Sequence, residues 1–128
     1  KYGFYRESVK SYTLSGKEGM EKIAAAMADL RKEPVTKIGG EKVAIYEDHS
    51  FMTRNVLHDG SQESTGLPKA NALRYLLDGG AWVVVRPSGT EPKLKLYIGA
   101  NADTENETAD RAERLLKGIC ERIEPLLK

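Results

Sequence analysis

Three apolar runs follow one another between residues 71 and 98, and their spacing restricts the fold more than any other feature of the chain. In the first, at 71–77, Leu73, Tyr75 and Leu77 occupy alternate positions. The second, at 81–85, reads Trp82-Val83-Val84-Val85 almost without interruption. In the third, Leu94, Leu96 and Ile98 alternate with Lys93, Lys95 and Tyr97. A period of two sends alternate side chains to opposite faces of a strand. Asp78-Gly79-Gly80 is a tight-turn signal, so the first two runs are expected to pair as a hairpin. The continuous second run is expected at the centre of a sheet with both faces largely covered. The third run turns its aliphatics inward and its two lysines to the opposite side.

Helical signals flank this block. Ser15-Gly16-Lys17-Glu18 has capping-box spacing, and Met20, Ile23, Ala24, Met27 and Leu30 follow at helical intervals until Pro34 halts the ladder. Thr104-Glu105-Asn106-Glu107 repeats the spacing ahead of a second stripe of Ala109, Ala112, Leu116, Ile119, Ile123 and Leu126. Cys120 beside that stripe reads as a small buried apolar group. Residues 4–14 read as an extended arm, with Val9, Ser11 and Thr13 on one face and Tyr12 and Leu14 on the other. A further strand is expected at 42–48, where Val43 and Ile45 alternate with Lys42, Ala44 and Tyr46. The polar stretch 50–70 is read as a long loop. Its Asn55, Asp59, Ser61, Gln62, Glu63 and Ser64 are treated as ordinary loop polarity, not as a sugar site. The pattern predicts an α+β domain: a mostly antiparallel sheet of four to five strands with two amphipathic helices on one face.

The segment joining the second and third runs is Arg86-Pro87-Ser88-Gly89-Thr90-Glu91-Pro92. Arg86 offers a planar fork of donors suited to phosphate or carboxylate. Ser88 and Thr90 add hydroxyls, and Gly89 allows backbone N–H groups to turn toward a common point, as in an anion-binding nest. Two prolines reduce the entropy lost when the loop orders. Lys93 and Lys95 lie on the polar side of the following strand, and at least one of them is expected to converge with the loop on one anion. No G-x-G-x-x-G occurs, and the loop leads into a strand where a phosphate-binding P-loop leads into a helix.

Other chemistry is excluded by pattern. Asp48-His49-Ser50 are neighbours in sequence, but a triad needs members brought together in space, and adjacency does not supply that. His49 and His58 find no third histidine and no cysteine at zinc-like spacing. With 40% hydrophobic and 30% charged residues, a formal charge of +1 and 128 residues, one globular domain is expected. Near-neutral charge and no sequence sign of a basic, aromatic-lined surface argue against nucleic acid. A single cysteine suits a reducing, cytoplasmic setting, and no apolar run reaches membrane-spanning length. The chain begins at Lys1 without a signal-like segment and is expected to be a fragment.

Arg86-Pro87-Ser88-Gly89-Thr90-Glu91-Pro92 followed by Lys93-Leu94-Lys95-Leu96-Tyr97 resembles the signature of the C-terminal domain of α-D-phosphohexomutases. Thr65-Gly66-Leu67-Pro68, Asn71, Leu73 and Asp78-Gly79 strengthen the resemblance, as does the stretch from Pro34 to Gly40. Within the superfamily the chain is most similar to bacterial phosphoglucomutase/phosphomannomutase proteins. The resemblance implies a TATA-box-binding-protein-like fold and a four-domain parent. In that parent 1–14 would lead in from the preceding domain and 15–128 would form the fourth. It implies a parent reaction that interconverts hexose 1-phosphate and 6-phosphate through a bisphosphorylated hexose, with Mg²⁺ assisting. The family's catalytic serine loop and metal loop have no counterpart in this sequence, so the fragment is expected to be inactive alone. Carried over by position, Arg86, Ser88, Gly89, Thr90 and Lys95 would hold the substrate phosphate that is not reacting. The expected partners are a hexose phosphate and the other domains of the same polypeptide, with neither nucleic acid nor membrane. The alternative is a stand-alone module using its open sheet for nucleic acid or protein.

Overall fold

The computed structural model describes residues 4–33, 35–49, 53–56, 61–64, 71–77, 80–88 and 90–127. Its strands are β1 (Phe4–Thr13), β2 (Lys37–Ile38), β3 (Glu41–Asp48), β4 (Thr53–Val56), β5 (Ser61–Ser64), β6 (Leu73–Leu77), β7 (Trp82–Pro87) and β8 (Lys93–Ala102). The helices are α1 (Gly16–Lys32) and α2 (Glu105–Ile123), and α2 runs on into a 3-10 turn at Glu124–Leu127. Every strand pairing is antiparallel, in the order β1-β8-β7-β6-β3-β4-β5, with β2 paired to β3 beside this row. The α+β class stands. The sheet is wider than the expected four to five strands, mainly because the stretch read as a loop contains the β4–β5 pairing. Pairing of Thr53–Val56 with Ser61–Ser64 leaves no apolar alternation in the sequence, since these are short polar strands at the sheet's end.

Both helices cover one face. Ile23, Met27 and Leu30 of α1 join Ala112, Leu115, Ile119 and Ile123 of α2 over Leu73, Tyr75, Val83, Val85, Leu94, Leu96 and Ile98. Each fully buried aliphatic side chain of this set contributes about 1.5–3 kcal/mol relative to exposure. The buried stripes are rotated slightly from those expected. In α1 Met20 is exposed and Ala26 is buried, while in α2 Leu115 is fully buried and Leu116 only partly. The cause is the direction of approach to the sheet, which a helical period does not encode. Cys120 packs partly buried against the core.

Two other expectations are corrected. Ser15 precedes α1 but its side chain makes no cap hydrogen bond, whereas Thr104 Oγ1 accepts the Glu107 N–H at 3.1 Å. In β3 the register shifts between Val43 and Ile45, so the pairing with β6 carries a bulge. The extra residue flips the pleat: Val43 and Tyr46 are buried under the helices, while Ile45 lies opposite Leu76 on the far face. Tyr46 stacks on Tyr75 with ring centroids 5.5 Å apart, and burial pushes its hydroxyl up to about 12. Pro34 and Asp78-Gly79 lie outside the described residues. No described helix is long and apolar enough to cross a membrane.

A cluster of charge ties α2 to the strands. Arg111 grips Glu41 with its Nε at 3.1 Å and a terminal nitrogen at 2.7 Å, and Arg114 adds a contact at 2.9 Å. Burial alone would raise the Glu41 carboxyl, but the two guanidinium groups outweigh it and hold it below its usual 4.5. A lowered folded-state value means the cluster's contribution is complete above the ordinary carboxylate range and is lost as pH falls through the depressed one. Glu41→Gln is therefore expected to destabilise the fold by about 1–3 kcal/mol at neutral pH. Denaturation midpoints measured against pH should show the gap to the parent sequence closing below the usual Glu41 value of 4.5.

Candidate functional site

The face of the sheet opposite the helices carries no layer among the described residues, and the residues singled out from the sequence collect at one end of it. β7 and β8 are paired so that Arg86 stands directly opposite Lys95, and β1 brings Ser11 to the other side of Lys95. Arg86 and Lys95 are both exposed. The reason lies in the alternation: Val85, Leu94 and Leu96 are fully buried, so the residues between them must point away from the helices. Two cations opposite one another across a strand pair repel and cost a few tenths of a kcal/mol, up to about 1 kcal/mol. No carboxylate neutralises either one among the described residues. An anion placed between the two would relieve that repulsion.

The loop beyond β7 is tightly bonded to itself. The Ser88 N–H donates to the Lys93 carbonyl at 2.9 Å, and the Lys93 N–H donates to the Glu91 carbonyl at 2.7 Å. Ser88 Oγ accepts the Thr90 and Glu91 N–H groups at 3.4 and 3.2 Å. These amides thus turn inward toward one oxygen, the hydroxyl of Ser88. Thr90 is exposed, and Gly89 lies outside the described residues. Lys93 Nζ is engaged by Glu91 at 3.6 Å, which leaves Lys95 as the lysine of this strand free to face Arg86.

The loop is also fixed from below. The Leu14 N–H donates to the Pro92 carbonyl at 2.8 Å, joining the loop to the β1–α1 junction. A Cβ on Gly19 would lie 2.7 Å from Leu14 Cβ and 3.2 Å from Pro92 Cβ, so only glycine allows the first turn of α1 this close to the loop. The sequence named the loop but not this support, because Leu14, Gly19 and Pro92 come together only in the folded chain.

Asp48 and His49 separate as strand geometry requires. Asp48 turns to the helix side and accepts Arg31 Nε at 3.0 Å, and Arg31 also reaches Asn71 Oδ1 at 2.7 Å. His49 turns the other way, with Nε2 3.0 Å from Glu47 Oε1. Ser50 lies outside the described residues, as does Thr65-Gly66-Leu67-Pro68. No group of three or more His, Cys, Asp or Glu side chains among the described residues could hold a metal ion.

Toward the other end of the open face lies an aromatic pair that sequence reasoning did not join. Trp82 Nε1–H donates to Tyr5 Oη at 3.1 Å, and Tyr5 Oη–H donates to Glu7 at 2.9 Å. Burial first, and then the bond to Glu7, push the Tyr5 hydroxyl upward, with Trp82 opposing. The indole lies across β8 at Gly99, where an added Cβ would fall 2.3 Å from two ring atoms. β7 is therefore covered by helices on one face only, and Trp82 and Val84 are half-buried on the other. An aromatic-lined face does exist, contrary to the sequence reading. Tyr5, Trp82 and Tyr97 are far apart in the chain, and only the β1–β8–β7 register gathers them.

The chain is similar to known proteins over most of its length. Residues 16–117 match the phosphoglucomutase/phosphomannomutase C-terminal domain. Phosphoglucomutase of Staphylococcus haemolyticus is 42% identical over 101 residues, covering 79% of this chain and 18% of the relative. Phosphoglucomutase of Staphylococcus aureus strain USA300 is 35% identical over 116 residues, covering 89% of this chain and 20% of the relative. The chain thus spans about a fifth of the length of these relatives. The fold matches that of the Paramecium phosphoprotein pp63/parafusin, a phosphoglucomutase, in its open form. That match has a TM-score of 0.54 and 17% identity, over 94% of this chain and 20% of the other. An antiparallel sheet backed by two helices makes this an α+β domain. It belongs to the phosphoglucomutase/phosphomannomutase C-terminal domain family.

The Trp82–Gly99 contact gives a direct check on this face. Gly99→Ala is expected to displace the indole and lower stability by about 1–3 kcal/mol. Because Trp82 is the one tryptophan in the chain, a red shift of the emission spectrum should report its exposure.

Proposed function

We propose that the chain is the phosphate-gripping C-terminal domain of a phosphohexomutase that interconverts hexose 1-phosphate and 6-phosphate. The observation that carries this reading is the Arg86–Lys95 pair, unneutralised among the described residues, beside a loop whose amides converge. Arg86 binds phosphate through its fork, Lys95 adds a second positive charge, and Ser88, Gly89 and Thr90 supply hydroxyl and backbone donors. The phosphate gripped here is the one that does not react. Holding it positions the rest of the substrate, and remote binding energy of this kind lowers the barrier at the reacting centre.

The catalytic serine and the Mg²⁺ ligands of such an enzyme belong to parts of the polypeptide other than these 128 residues. The described residues offer no ligand set for the ion. The chain alone is inactive and binds phosphosugar weakly, because one domain supplies a fraction of the contacts. The bisphosphorylated hexose intermediate, the other domains of the polypeptide and a cytoplasmic setting complete the reading.

One observation favours a second reading: the open face joins Tyr5, Trp82 and Tyr97 with Arg86 and Lys95, as a sheet for single-stranded nucleic acid would. Against it stand a formal charge of +1 and the commitment of the Trp82 N–H to Tyr5. Saturable RNA binding at low salt, indifferent to glucose 1-phosphate, would favour that reading.

In the complete enzyme Arg86→Ala is expected to lower kcat/KM by about a hundredfold or more. In the present chain the same change should abolish the phosphate-induced amide shifts of the 88–95 region while leaving the spectrum dispersed. Unchanged kinetics in the complete variant would overturn the assignment.

A further inference from the structure

The anion pair has an aromatic neighbour to which neither the sequence nor the family match gives a role. Tyr97 lies two residues beyond Lys95 on β8, so it projects from the same face. The register sets it between Val9 of β1 and Val84 of β7. Val9 is 61% exposed, and Tyr97 and Val84 are half-buried, so the row is open to solvent along its length. Tyr97 makes no hydrogen bond through its hydroxyl among the described residues. Beyond Val84 the row turns polar, with Arg74 opposite Val84 and Glu47 opposite Arg74.

We propose that Tyr97 is the platform on which the hexose ring lies when its phosphate is held by Arg86 and Lys95. The inference rests on the phosphate-gripping reading and adds to it the part of the ligand beyond the phosphate. Two residues along a strand span roughly 6–7 Å, a step that carries a ligand from the phosphate to the pyranose ring attached to it. A pyranose presents a face of C–H bonds, which suits the electron-rich face of an aromatic ring. The Tyr97 hydroxyl, without a hydrogen-bond partner among the described residues, can donate to or accept from a sugar hydroxyl. Arg74 at the end of the row, its side chain 38% exposed, offers further donors although it also pairs with Glu47 at 3.6 Å. The other direction along β8 is closed to this role, since Lys93 is engaged by Glu91. Trp82, one row further than Tyr97, has its N–H committed to Tyr5.

The test compares two probes on the present chain by amide-shift titration: inorganic phosphate and glucose 1-phosphate. The expected result is tighter binding of glucose 1-phosphate, a preference that Tyr97→Ala reduces about three- to tenfold while leaving phosphate affinity unchanged. Tyr97→Phe should keep most of the preference, since it keeps the ring. Tyr97→Leu should lose it while filling the same space, which guards against misfolding as the explanation. A preference that survives in Tyr97→Ala and Tyr97→Leu overturns the inference. Equal binding of the two probes by the unaltered chain overturns it too and leaves the anion site standing. Binding of neither probe removes the anion site and the platform together.

Discussion

Leu94, Leu96 and Ile98 are fully buried beneath the helices, and the whole of the opposite face is ordered by that constraint. Three aliphatics on alternate positions can be buried on one side only, so Lys95 and Tyr97 are forced to the other. β8 is paired on both edges, with β1 and with β7, and each partner inherits its register. Arg86 therefore stands opposite Lys95, and Val84 opposite Tyr97, without any need for the polar side chains to attract one another. A shift of one residue along β8 would bury Lys95 and expose Leu94 and Leu96. The cost of such a slip is several kcal/mol, far more than the mutual repulsion of the two cations. The hydrophobic core holds a charge pair that electrostatics alone would push apart.

Much of this was legible in the residues. The period of two at 71–77 and 93–98 placed the buried and exposed faces of β6 and β8 correctly, and the Arg86 loop was recognisable by its donors. What could not be read depended on contacts between distant segments. The bulge in β3 leaves no mark in Val43-Ala44-Ile45, yet it moves Ile45 to the opposite face. The β4 and β5 strands consist mostly of polar residues, and their pairing extends the sheet outward from β3. The support of the loop by Leu14 and Gly19, and the aromatic pair across Gly99, join residues brought together by pairing that no local pattern encodes.

Rigidity on this face is unevenly distributed. Trp82, Tyr5 and Glu7 form a chain of hydrogen bonds that ties the edge strand to the second strand inward across a glycine. At the other end the loop is held by backbone bonds to itself and to Leu14, while the side chains of Arg86, Lys95 and Thr90 remain exposed. The backbone frame is bonded in place, and the donor side chains on it face solvent.

The pairing of β1 with β8 joins Phe4 to Ala102 and Thr13 to Lys93, so the edge of the sheet is built from opposite ends of the sequence. The β6–β7–β8 meander, by contrast, closes through short connections. Loop-closure entropy favours the meander forming first and the edge last. During that interval β8 would present an unpaired backbone ladder, with Tyr97 and Val84 beside it. An unpaired strand of this length is a template for another chain, and the late arrival of β1 is what shields it. The strand that completes the sheet is thus also its protection against association during folding.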